Sequence, residues 1–284
     1  MKNILITGKN SYIGDKFAEY LKNDKNYSIT IADTISDEWK ALDFSQFNAV
    51  FHVAGIAHDI KGNKSDELYF KVNCDLVLDI AHKAKDSGVK QFIFMSSILI
   101  YNGCKTTVIT RETQPCAKGS YAQSKLKADI ALQQMQSDNF KVAILRPPMV
   151  FGPNCKGNFP RLVSLAKKTR IFPYYKNQRS MIYIDNLCEF VKKTIDSAAG
   201  GIFFPQNEEY FCTSEIVKTI AAHYNRKIWM PKIFNPLIGL GTKISSKINK
   251  AFGDLAVDRT PKNIDWIYKC VDNSCSIMHS IETE

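Results

Sequence analysis

Over the first half of the chain the apolar positions fall into two alternating rhythms. Short continuous apolar runs lie at 3–8 (NILITG), 27–33 (YSITIAD), 49–55 (AVFHVAG), 90–97 (KQFIFMSS) and 140–148 (FKVAILRPP). Each has the length and composition of a strand covered on both faces. Between them apolar residues recur every three or four positions. Ile13, Phe17, Ala18 and Leu21 mark one helix, 69–88 a longer one stopped by Gly88, and 120–136 another. Strands alternating with helices predict right-handed crossovers and a parallel, doubly wound α/β sheet.

After residue 150 prolines and glycines become frequent, and the helical patterns at 158–169, 185–197 and 213–224 are shorter. The expected organisation is a dinucleotide-binding domain over 1–155, joined by late strands returning from the second half, and a smaller substrate-binding region over 156–284. Within the latter, 232–256 reads as a helix with Asn235 and Pro236 at its start and Gly253 at its stop. Leu237, Leu240, Ile244, Ile248 and Ala251 recur at helical spacing, although Gly239 and Gly241 weaken the pattern. From 218 to 262 there are nine Lys/Arg against two Asp/Glu. A basic amphipathic helix can rest on an anionic membrane, a peripheral contact. The expectation is instead that it packs on its own domain with its basic face in water.

The balance of 38 Lys/Arg against 28 Asp/Glu gives a net charge of +10, which suits anionic ligands. No zinc-finger, basic-zipper or RNA-binding signature accompanies it, so nucleic acid is not an expected partner. The eight cysteines form no Cys-x-x-Cys pair and have no histidine at metal-ligand spacing, so no metal is expected. The N-terminus enters a strand directly and no run of about 18 apolar residues exists. Reduced thiols in a cytoplasmic protein without a transmembrane segment are the corresponding expectation.

Candidate chemistry begins with TGKNSYIG (7–14), between the first strand and its helix. A Rossmann-type turn needs glycine where the chain turns sharply, where backbone meets a pyrophosphate, and where helix packs on strand. Gly8 and Gly14 fill the outer positions, and Ser11 stands at the middle one. The helix N-terminus at Ser11, Tyr12 and Ile13 supplies N–H groups and a positive dipole end. Asp33 closes the next strand, 19 residues after Gly14. A carboxylate there accepts hydrogen bonds from the adenosine ribose and repels a 2′-phosphate, which favours NAD over NADP. Lys2 and Lys9 add nearby positive charge.

In SYAQSKLKAD (120–129), Tyr121 and Lys125 lie one helical turn apart on one face. Ser96 and Ser97 end the strand before it, where ligands bind in a doubly wound sheet. A cation and a positive nicotinamide ring favour tyrosinate, so Tyr121 is expected to titrate below its ordinary value near 10. Tyr121 then exchanges a proton with a sugar or alcohol hydroxyl while a hydride moves. Lys125 orients the ribose, and Ser97 hydrogen-bonds the reacting oxygen.

With these motifs in order, the chain resembles the extended short-chain dehydrogenase/reductase family, particularly its nucleotide-sugar epimerases and reductases, over most of 1–225. TGKNSYIG resembles the family's TGxxGxxG loop, with Ser11 the departure. ALDFSQF resembles its adenine contact, which implies that role for Asp43 and Phe44. FHVAG resembles its strand against the cofactor, carried to Ala54 and Gly55, and Asn73 its structural asparagine. SSILIY places the catalytic hydroxyl at Ser97, four before Tyr101, and YAQSK supplies the Tyr121–Lys125 pair. LRPPMVFGP, with Pro148, resembles the segment lining the nicotinamide and sugar sites. RSMIYIDNL resembles the segment whose arginine grips the nucleotide diphosphate, which implies Arg179, and Asn158 occupies a second diphosphate position.

The resemblance implies an NAD-dependent enzyme acting on a nucleotide-diphosphate hexose, UDP-linked by expectation, in surface polysaccharide synthesis. It also implies a homodimer through helices 69–88 and 120–136. Ile98 and Leu99 stand where 4,6-dehydratases carry an Asp–Glu pair, which disfavours dehydration. A 4-epimerase and a 4-keto reductase both need only Ser–Tyr–Lys and stay open, with Asp33 leaning towards the epimerase. A dinucleotide-sensing regulator would have lost the Tyr–Lys pair, and a neutral steroid or small alcohol would need no Arg179 and Asn158. His58 is a loop residue near the expected site, and His52 reads as a core histidine.

Overall fold

The computed structural model describes residues 1–57, 65–259 and 266–282. It divides into two compact units. The first comprises Met1–Cys104, Gln114–Pro148 and Cys188–Pro205, and the second Lys105–Thr113, Met149–Leu187 and Gln206–Glu284.

The first unit is built on a parallel sheet. Its strands are β1 (Lys2–Thr7), β2 (Tyr27–Ala32), β3 (Ala49–His52), β4 (Gln91–Met95), β5 (Lys141–Leu145) and β6 (Gly201–Phe203). Their order is β2-β1-β3-β4-β5-β6. In register, Ile6 lies opposite Ile31 on one side and Phe51 on the other. Ile4, Leu5, Ile6, Val50, Phe51, Phe92, Ile93 and Phe94 are fully buried. Both sheet faces are therefore covered, which is why these strands read as unbroken apolar runs rather than alternating ones. The run expected over 140–148 stops at Leu145. Pro147 and Pro148 offer no N–H to a ladder, and Met149–Phe151 pairs instead with Met181–Tyr183 in the second unit.

Chain order and sheet order diverge at β1, which has β2 on one side and β3 on the other. The chain leaves β1 through helix α1 (Tyr12–Leu21) for β2 and returns across β1 to β3. In open sheets of this kind the usual ligand position lies at such a reversal, beyond the carboxyl ends of the strands. Phe17 of α1 meets Phe51 edge-on, with centroids 5.2 Å apart, and fixes the helix on the sheet. The helix expected over 69–88 starts earlier and is not uniform. It runs from Asp66–Phe70 through a π-helical turn, Lys71–Asp75, into α2 (Leu76–Asp86). Helix α3 (Ser120–Met135) buries Ala122, Ala128, Leu132 and Met135, and with them Ser124, Lys125 and Asp129.

The second unit holds helices α4 (Asn158–Lys168), α6 (Thr213–His223), α7 (Asn235–Ile244), α8 (Ser246–Phe252) and α9 (Asn273–Ile281). Helix α5 (Ile184–Asp196) begins in the second unit and ends in the first. Phe151 centres an aromatic core in the second unit, with Phe159 at 4.9 Å, Phe211 at 5.4 Å and Tyr183 at 5.7 Å between centroids. The single helix expected over 232–256 is two. Ser245 is extended, at φ −110° and ψ 119°, and its hydroxyl accepts from the Ile248 N–H to cap α8. Among the described residues, no helix is long and apolar enough to cross a membrane.

Candidate active site

The loop after β1 has the stereochemistry its sequence requires. Gly8 has φ 123°, and a Cβ there would stand 2.7 Å from the Ala54 nitrogen. Conformation and clearance thus both exclude a side chain. At Gly14 a Cβ would meet Val53 Cγ2 at 2.9 Å and Ile6 Cγ2 at 3.1 Å, so this glycine lets α1 sit close on the sheet. Ser11 is extended, at φ −79° and ψ 127°, a conformation open to any residue. Its hydroxyl accepts from the Gly14 N–H at 3.4 Å and caps α1. The departure from glycine at the middle position is therefore a helix cap.

The first turn of α1, from Tyr12 through Ile13, presents N–H groups and the positive dipole end beside this side-chain-free turn. This donor set fits a dinucleotide pyrophosphate. Gly8 and Lys9 N–H groups both donate to the Ala32 carbonyl, at 3.1 and 3.3 Å, so Asp33 starts where the loop turns. One Asp33 oxygen accepts from the Ile35 N–H at 2.8 Å. Asp43 is exposed, and bonds from the Ser45 hydroxyl and N–H hold its carboxyl below the ordinary range. Phe44 is fully buried against Phe47. Its side chain is committed to packing.

The predicted catalytic side chains meet beyond the end of β4. The Ser97 hydroxyl accepts from the Leu99 N–H at 3.2 Å and lies near enough to the Tyr121 phenol to influence its titration. Burial pushes the Tyr121 phenol up, and Ser97 acts against it. Lys125, one turn further along α3, is also buried. Its ammonium donates to the Met95 carbonyl at 3.0 Å and lies 4.7 Å from the centroid of the Phe94 ring. Burial lowers it from 10.5 to about 8. The protein's own groups do not depress Tyr121: burial is the largest influence on its phenol, and Lys125 is not among the groups acting on it. Loss of water from around the phenol dominates, and the ammonium is bonded to a carbonyl.

One glycine clearance completes this corner. A Cβ at Gly55 would stand 3.2 Å from Lys125 Nζ and 3.0 Å from Asn73 Oδ1. Asn73 lies in the π-helical turn, where it accepts from the Ile56 N–H at 2.9 Å and donates to the Ile56 carbonyl at 3.0 Å. It also donates to Ser124 Oγ at 3.2 Å, beside Lys125. Ala54 donates to the Thr7 carbonyl at 2.9 Å. His52 is buried, with Nδ1 2.8 Å from the Thr7 hydroxyl, and burial holds its imidazole down to about 3. Its Nε2 has no hydrogen-bond partner among the described residues, so only half of this core histidine is satisfied there. His58 lies outside the described residues.

One buried network was not foreseen. Arg146, directly after β5, donates from Nε and Nη2 to the two carboxylate oxygens of Asp129, at 2.9 and 2.7 Å. Its Nη1 donates to the Tyr101 hydroxyl at 2.5 Å. The Ser96 hydroxyl donates to the same carboxylate at 2.8 Å. The ion pair therefore fastens α3 to the segment bearing Ser97. Two signals were available in the sequence. Tyr121, Lys125 and Asp129 share one helical face, and Arg146 interrupts an otherwise apolar strand end.

In the second unit Asn158 opens α4, after Gly157 at φ 105°. Arg179 pairs through its backbone with Phe211, and its Nη1 donates to the Gly253 carbonyl at 2.9 Å. Burial works against its charge and Asp254 supports it. Pro148 is buried at the end of the first unit.

Comparison with known proteins bears on this arrangement. Residues 4–203 match the model of the NAD dependent epimerase/dehydratase family. The chain belongs to that family. This epimerase/dehydratase family member is accordingly an NAD-dependent enzyme, as its loop and Tyr–Lys motifs predicted. It is 29% identical to a UDP-glucose 4-epimerase of Vibrio cholerae, over 93% of this chain and 90% of that protein. It is 26% identical to an N-acetyl-α-D-glucosaminyl-diphospho-ditrans,octacis-undecaprenol 4-epimerase of Escherichia coli O157:H7, over 88% of this chain and 81% of that protein. A UDP-Glc/GlcNAc 4-epimerase structure from Campylobacter jejuni superposes with a TM-score of 0.73 at 17% identity, over 100% of this chain and 99% of that one. That likeness shows a shared Rossmann-type fold.

Proposed function

We propose that this epimerase/dehydratase family member is a UDP-hexose 4-epimerase that oxidises and re-reduces the sugar 4-hydroxyl. The observation that supports the reading is Lys125 buried one helical turn from Tyr121, its ammonium on the Met95 carbonyl at the carboxyl end of β4, with Ser97 directly after that strand. NAD, when bound, would supply the hydride acceptor and donor for the oxidation and re-reduction. Tyr121 Oη takes the 4-hydroxyl proton in the first half and gives it back in the second. Ser97 accepts from the Leu99 N–H, and its one hydrogen, which favours the Tyr121 oxygen in the protein alone, would turn to the reacting oxygen when substrate lies between them. Lys125 has donors beyond the one given to Met95 and would hold the nicotinamide ribose. Its positive charge and that of the cofactor offset the burial that raises the Tyr121 phenol.

Ile98 and Leu99 add no acid or base next to Ser97. A dehydratase must also move protons at neighbouring carbons, whereas 4-epimerisation needs one proton site. Asp33 at the tail of β2 supports NAD as the coenzyme over NADP. Arg179 and Asn158 are the proposed diphosphate ligands, and the printed activity of the Vibrio cholerae relative supports a UDP-sugar.

The test is turnover of UDP-glucose and UDP-N-acetylglucosamine by protein purified without added coenzyme. The expected result is 4-epimer formation with retained NAD, and a loss of about 10²-fold or more in Tyr121→Phe. Stoichiometric consumption of NADH with a UDP-4-keto sugar, and no epimer, would replace the epimerase by the reductase.

A further inference from the structure

Helices α7 and α8 carry their apolar stripe on the outside. Leu237, Leu240 and Ile244 are spaced by three and four residues and share one face of α7, and Ile233 precedes the helix in the same phase. They are 70%, 58%, 76% and 78% exposed. The opposite side holds the hairpin to its unit. Ile238 is buried, Phe252 packs on Phe172 with centroids 5.4 Å apart, and a Cβ at Gly241 would stand 2.8 Å from Ile248 Cδ1. The expectation that the apolar side faces its own domain is therefore reversed for this stripe.

Charge identifies the partner. From Arg226 to Gly253 there are six basic residues, Arg226, Lys227, Lys232, Lys243, Lys247 and Lys250, and no acidic one. All six are exposed. Trp229, which leads into the hairpin, is 64% exposed. We propose that this hairpin is a docking surface for an anionic lipid bilayer, with Leu237, Leu240 and Ile244 entering the headgroup–acyl boundary and the lysines on the lipid phosphates. Aliphatic side chains interleaved with lysines, and a tryptophan at the margin, match an interfacial helix. A nucleic-acid backbone would use the lysines and leave the leucines and isoleucines in water. The two helices are ten and seven residues long, so they lie in the interface and do not span it. The inference is independent of which sugar the enzyme converts.

The test is flotation of the intact purified protein with vesicles of phosphatidylcholine alone and of phosphatidylcholine mixed with phosphatidylglycerol. The protein should float with the anionic vesicles only, and added salt should release it. One lysine at an anionic surface contributes roughly fivefold in partitioning. The pair Lys243→Glu and Lys247→Glu should therefore cost at least about tenfold, as should Leu237→Asp with Ile244→Asp. Both double variants should keep the wild-type circular dichroism and turnover, since every changed side chain is exposed. Failure of the wild type to float with anionic vesicles overturns the proposal. So does flotation unchanged in both variants, binding to a random oligonucleotide but not to lipid, or a dimer that the Leu237→Asp pair splits in a protein that does not float.

Discussion

Replacing Lys125 by methionine should remove activity and change the pH dependence of stability in a calculable way. The buried ammonium is lowered from 10.5 to about 8 by loss of water. At about 1.4 kcal/mol per pH unit, this amounts to roughly 3 kcal/mol against folding when the group is charged in both states. The penalty is complete below about pH 8. Between about 8 and 10.5 the unfolded chain holds the proton and the folded one does not, so wild-type stability rises with pH. Methionine removes the penalty but leaves the Met95 carbonyl without its donor, a cost of about 1–3 kcal/mol. At pH 7 the cofactor-free variant should therefore match or exceed the wild type by up to about 2 kcal/mol. Near pH 10.5 the order should reverse, with the wild type ahead by about 1–3 kcal/mol. Urea unfolding at both pH values measures this, and groups common to both proteins cancel in the difference. Parallel stability–pH curves for the two proteins would refute the reasoning, because Lys125 would then titrate alike folded and unfolded.

Other substitutions probe separate parts of the protein. Asp33→Arg should shift preference from NAD towards NADP, measured as the ratio of dissociation constants, and an unchanged ratio would remove Asp33 from the ribose. Arg179→Ala should weaken UDP binding more than tenfold with NAD binding intact, since a charge-assisted bond is worth on the order of 2 kcal/mol, and lysine should rescue it only in part. Equal calorimetric constants for UDP would assign Arg179 to holding the Gly253 carbonyl alone. Arg146→Met leaves the Asp129 carboxylate buried without its cation and should cost about 3–5 kcal/mol, with most of the loss recovered when Asp129 also becomes leucine. Denaturant midpoints of the single and double variants decide that point.

The parallel sheet was legible because buried strands leave unbroken apolar runs, and the tight turn after β1 because only glycine suits Gly8 and Gly14. The Ser97, Tyr121 and Lys125 cluster was legible from a helical spacing and a strand end. Three features were not, each for a physical reason. Asp129 looks like any helix-surface acid until its partner, Arg146, 17 residues on, is known. The stripe of Leu237, Leu240 and Ile244 fixes a helix face, but periodicity carries no sign for inward or outward. The burial of Phe44 is a third, because a motif records a position rather than the direction of a side chain.

The π-helical turn at Lys71–Asp75 changes how this part of the chain tolerates changes in length. A regular helix turns about 100° per residue, so one residue gained or lost within it acts as a screw displacement of everything on one side. The widened turn accommodates an additional residue while Asn73 still reaches both Ile56 and Ser124. Deleting a single residue between 71 and 75 would let the segment relax to an ordinary helix, yet it would rotate Asp66–Phe70 and Tyr69 away from the ring of Tyr121. A stretch that looks like the interior of one uniform cylinder therefore behaves as a set angular joint. Point substitutions at its exposed positions should be mild, whereas a one-residue deletion should unseat the site from a helix that remains helical.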